Sequence, residues 1–210
     1  IGVIVAASRM KHPLDARTLA RLAASFAGDG PGEVVGFGLS NDERVGSTAS
    51  FGPAFRIARR AGLVGVPHGG ELLGPSSVRE VVSTLAPARL GHGVRTSEDP
   101  ALLRAVVDAG IALEVCPTSN VHLGVYTDFS QVPLPILLSA GARIALAADD
   151  PLLFRSRLVA QYEVARDVFG LSDEALADLA RSSIDASLAS PSHKAAWKAD
   201  IDAWLAAPVA

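Results

Sequence analysis

The 210-residue chain is 49% hydrophobic, 20% charged and 5% aromatic, which excludes disordered and fibrous classes. A formal net charge of -3 and a pI near 5.9 leave no basic stripe for duplex binding, so no nucleic-acid partner is expected. Cys116 is the only cysteine, which rules out an intramolecular disulfide and suits a reducing, cytoplasmic setting, and no apolar run approaches the roughly 18 residues that span a bilayer.

The chain opens at Ile1, without a methionine, inside the apolar run IGVIVAA, so an upstream segment is expected. Short apolar runs then alternate with helix-period segments. IGVIVAA precedes LDARTLARLAASFA, EVVGFGL precedes FGPAFRIARRAG, and LVGVPH precedes PSSVREVVSTLA. ARLGHG precedes DPALLRAVVDAG, IALEVC precedes PLPILLSAG, and ARIALAAD precedes a helical tail from about Phe154. Runs that are apolar at nearly every residue are strands buried on both faces, as in a parallel sheet. Gly62 and Gly110 read as C-cap glycines, and Pro75 and Pro100 as first-turn prolines. Six β/α units against the eight of a complete barrel, which needs about 250 residues, predict an α/β fold. The expected form is a single TIM-type parallel (β/α) barrel domain over 1–210 that lacks its first two strands and carries extra C-terminal helices. The rival is a doubly wound open sheet, which needs no missing piece.

Polar residues gather where the strand runs stop. Asn41, Asp42 and Glu43 follow VVGFGLS, His68 and Glu71 follow LVGVP, His92 follows ARLG, and Asp149 and Asp150 follow IALAA. Strand C-terminal ends form the active-site face of parallel β/α folds. Two histidines and an aspartate suit zinc, and a neighbouring carboxylate such as Glu71 could move protons. Each has a plainer reading: His68 as a turn residue, His92 between Gly91 and Gly93 as a close-packing position, and Asp149 or Asp150 before Pro151 as a helix cap. HGGELLGPSS could cradle phosphate in an open sheet but lacks the Walker lysine. Cys116 reads as a packed thiol with no local histidine to activate it, His12, His122 and His193 as surface residues, and Arg59 and Arg60 as a solvated helix face.

In order, GFGLSNDE, HGGE, RLGHG, EVCPTSN and ALAADDP resemble the motif series of the adenosine deaminase family, from Ile1 to the C-terminal helices. The resemblance implies a metal-dependent hydrolase barrel with zinc as cofactor and hydrolytic deamination of a purine nucleoside, adenosine to inosine. His68 and Asp149 would be zinc ligands and Glu71 the acid that protonates purine N1. His92 would orient the zinc-bound hydroxide, Asp150 would hydrogen-bond purine N7, and Gly70 and Asn41 would border the substrate. Glu71 must start protonated for this, which implies a carboxyl raised by burial. Two departures stand out. The family's HxH strand end, with two further ligands, is absent, and Asn41 replaces a glycine on the pocket floor. Adenine and 6-aminodeoxyfutalosine stay open as substrates, as does a catalytically inactive or partner-completed fragment that self-associates through exposed strand edges.

Overall fold

The computed structural model of the chain describes residues 1–207. They divide into two compact units, Ile1–Leu113 and a second that begins at Glu114.

The first unit holds β1 (Val3–Ser8), α1 (Pro13–Ser25), β2 (Val34–Ser40), α2 (Thr48–Arg60), β3 (Val64–Gly69), α3 (Pro75–Leu85), β4 (Arg89–His92) and α4 (Pro100–Asp108). The strands pair in parallel, with Ala6 opposite Gly38, Phe37 opposite Gly65, and His68 opposite Gly91. Phe37 and Phe55 meet edge to face at 5.3 Å between ring centroids, and both are buried, so the strand and helix layers lock on aromatic packing. At β1, Ile1, Val3 and Ile4 keep substantial exposure.

β5 (Ala112–Val115) continues the sheet beside β4 through the Ala112 N–H to the Ala88 carbonyl. Within the second unit β6 (Ile144–Leu146) follows β5 through the Ala147 N–H to the Val115 carbonyl. Strand order is therefore chain order. The second unit also carries α5 (Pro117–His122), α6 (Leu134–Ser139), α7 (Leu158–Asp167), α8 (Asp173–Ala186) and α9 (Pro191–Ala206). β6 donates Ile144 and Leu146 N–H to the Ser182 and Ser183 hydroxyls of α8 at 2.9 and 3.2 Å, so a helix takes up strand donors that would otherwise be orphaned. No described helix is long and apolar enough to cross a membrane.

Two local expectations are corrected. The helical tail starts at Leu158 rather than near Phe154, because Asp150 Oδ1 accepts the Leu152 and Leu153 N–H groups and closes a separate turn there. The CPTSN segment, not anticipated as helical, forms α5 with Pro117 at its start.

Ser172 caps α8 by accepting the Ala175 N–H. Ser172→Ala is expected to lower stability by about 1 kcal/mol, read as an earlier urea midpoint at unchanged slope. An unchanged midpoint would show that the cap contributes nothing.

Candidate active site

The ends of β3 and β4 bring His68, Glu71 and His92 together. His68 and His92 meet edge to face with ring centroids 5.0 Å apart, and His92 Nε2 lies 3.4 Å from Glu71 Oε1. One ligand atom from each of the three lies within 4.8 Å of the others, with Glu71 and His92 buried and His68 partly so. Two imidazoles and a carboxylate at that spacing are donor types that suit a borderline divalent cation such as zinc, and the close His92–Glu71 contact pairs two of them with each other beside His68. His92 adopts a left-handed backbone, φ 62°, a conformation that costs a non-glycine residue on the order of 1 kcal/mol or more and is typical of functional sites.

The backbone that presents Glu71 is held from both sides. Glu43, buried at 3% exposure, accepts the Gly70 N–H on Oε1 at 2.7 Å. Its Oε2 accepts the Glu71, Leu72 and Leu73 N–H groups at 3.1, 2.9 and 2.9 Å. The Ser77 hydroxyl also donates to Oε1. Burial alone would push the Glu43 carboxyl up, but the hydrogen bonds from Ser77, Leu73, Gly70 and Leu72 outweigh it and leave it below the usual carboxylate value. The carbonyls are engaged as well. Arg95 N–H donates to Gly70 O, Arg95 Nη1 to Leu72 O, and Arg9 Nη2 to His68 O at 3.1 Å. Arg9 Nη1 donates to Thr48 Oγ1, which ties its buried guanidinium to the start of α2.

Arg9 escaped sequence reading, and Glu43 entered it only as one of three strand-end polar residues. The donors on Glu43 are the backbone N–H groups of residues 70–73, which no residue type marks, so nothing in the sequence singles Glu43 out from Asn41 and Asp42. Asn41 is exposed, with φ 71°, and its side-chain amide donates to Ser8 Oγ at 2.8 Å. Gly70 sits at φ 73°, buried in the Glu43-bound turn.

In the second unit, Asp149 follows β6 with φ 61°, and Asp150 caps the next turn. The segment after them is anchored by a buried polar knot. Gln161 of α7 donates to Ser156 Oγ at 2.6 Å and to Thr118 Oγ1 at 2.8 Å, while its Oε1 accepts the Thr118 N–H at 3.1 Å. Cys116 is buried, with its thiol on the Glu114 carbonyl, while His12, His122 and His193 are exposed.

The adenosine deaminase family model matches residues 1–204. A putative adenosine/adenine deaminase of Streptomyces coelicolor is 57% identical over 205 residues, covering 98% of this chain and 59% of the relative. The crystal structure of an adenine deaminase from Arthrobacter aurescens superposes at TM-score 0.90 with 30% identity, over 98% of this chain and 62% of that one. An amidohydrolase from Burkholderia ambifaria, solved with bound zinc, superposes at TM-score 0.87 with 25% identity, over 97% and 56% respectively. The chain thus spans about three fifths of the length of these proteins. Its six β/α units have the TIM-type barrel fold of its structural neighbours, and the chain belongs to the adenosine deaminase family.

Proposed function

We propose that the protein carrying this chain is a zinc-dependent aminohydrolase that deaminates a 6-aminopurine, adenosine to inosine and ammonia. The observation that carries the reading is the buried contact of His92 with Glu71 beside His68. The metal assignment, His68 in the first unit and Asp149 in the second, stands on the motifs HGGE and ADDP. Such an ion, when bound, supplies Lewis-acid activation of a water molecule.

The remaining steps fall to side chains of this chain. Glu71 gives its carboxylic proton to purine N1, which makes C6 electrophilic. The water oxygen then bonds to C6. His92 holds one of the two water protons and, 3.4 Å away, returns it to Glu71; the other leaves with the amino group as ammonia while C6 becomes a carbonyl. Asp150 Oδ1 is engaged by two N–H groups, so contact with purine N7 falls to Oδ2. Both of those atoms are acceptors, and the contact requires a shared proton. Gly70 and Asn41 border the substrate in this reading.

Adenine is the second reading, favoured by the Arthrobacter aurescens relative. The test is metal analysis together with ammonia release from adenosine and from adenine. We expect a stoichiometric zinc, release from adenosine, loss of activity on chelation and recovery with added zinc. Release from adenine alone would move the assignment to the base, and a zinc-loaded protein that acts on neither would overturn it.

A further inference from the structure

The Gly70–Leu73 turn is built as a receptor for one carboxylate. Four successive backbone N–H groups and the Ser77 hydroxyl all end on Glu43, a residue from the loop after β2 that belongs to neither the candidate ligands nor the proton donors. Gly70 makes this possible at φ 73°, and a Cβ there would lie 2.5 Å from Val78 Cγ2, so the turn has little room to relax another way. Its carbonyls are fixed in turn by Arg95 and by the Gly93 N–H on Gly69 O at 3.1 Å. With donors and acceptors both engaged, the direction in which Glu71 leaves the backbone is determined by what Glu43 accepts.

We propose that Glu43 is a positioning residue of the active site, holding the Gly70–Leu73 turn so that the Glu71 carboxyl stays against His92. The assignment rests on the deaminase reading for its catalytic consequence, but not for its structural one. A buried, charged acceptor of several N–H groups makes strong hydrogen bonds, and no neutral isostere can replace both of its oxygens. Glutamine at position 43 would set an NH2 group against at least one of those N–H donors.

The experiment is Glu43→Gln in the protein carrying this chain, with kcat and KM measured separately and backbone hydrogen exchange followed at residues 70–73. We expect kcat to fall roughly 10- to 100-fold, as for other residues that orient a site from outside it, with KM nearly unchanged. Exchange at the four amides should quicken at least about tenfold while protection elsewhere holds. A purely structural role would instead lower the amount of folded protein without altering kcat per active site, and that outcome overturns the proposal. Should the variant not accumulate folded, Ser77→Ala carries the test. It removes one donor from Oε1, so the same split at smaller size supports the assignment, and a kcat within about twofold of the parent overturns it. If the parent releases no ammonia from any purine, the deaminase reading fails separately and amide exchange alone decides.

Discussion

Glu71→Gln is expected to lower kcat by about 10³-fold, within the range contributed by a positioned general acid, and to leave KM and zinc content close to those of the parent. The glutamine keeps the shape and can still donate a hydrogen bond to N1, but it has no proton to transfer, so C6 stays unactivated when water attacks. Glu71 is buried against His92 and glutamine keeps its volume, so a urea midpoint measured alongside separates any loss of folded protein from the loss of the acid. Steady-state kinetics, metal analysis and a denaturation curve on one preparation separate these effects. A variant that keeps more than about a tenth of the parental kcat would remove Glu71 from the role of acid.

What was legible beforehand follows the physics of periodicity and punctuation. The runs EVVGFGL and LVGVPH are apolar at nearly every position, and β2 and β3 lie within a residue of where those runs place them. Pro75 and Pro100 open α3 and α4 as first-turn prolines should. That His68, Glu71 and His92 would meet was legible too, because parallel strands deliver their C-terminal ends to one face. The supporting framework was not. Arg9 and Glu43 look in sequence like ordinary polar loop residues, since their partners are backbone groups 27 to 59 positions away, and backbone donors leave no trace in residue identity. The Thr118, Ser156 and Gln161 knot is hidden for a related reason: three polar residues spread over 43 positions acquire meaning only when they are buried together. Motifs thus mark the groups that do chemistry, while the groups that aim them are found by asking where buried hydrogen bonds go.

The same reasoning gives Gly91 a larger effect than its plain appearance in RLGHG suggests. Gly91→Ala is expected to reduce turnover by about 10²-fold or more and to weaken zinc retention, because an added Cβ would lie 2.3 Å from His68 Cδ2 and 3.0 Å from Nε2. Gly91 is in the middle of β4, directly opposite His68 in the parallel register, so alanine suits its backbone and the collision is with the imidazole alone. The ring cannot simply slide away at the main chain, where the Arg9 guanidinium holds the His68 carbonyl, and it packs edge to face on His92. It must therefore rotate, which displaces its nitrogens from their place beside the His92–Glu71 contact. Gly110→Ala is the control: its backbone is left-handed at φ 67° and a Cβ there meets nothing within 4 Å, so it should cost about 1 kcal/mol of stability while kcat and zinc content stay unchanged. Zinc content and kcat for both variants, beside their urea midpoints, decide between displacement of a ligand and general loosening of the fold. Should Gly91→Ala keep its zinc and its turnover, the position of the His68 ring would not matter to the site, and His68 would have to be struck from the metal ligands.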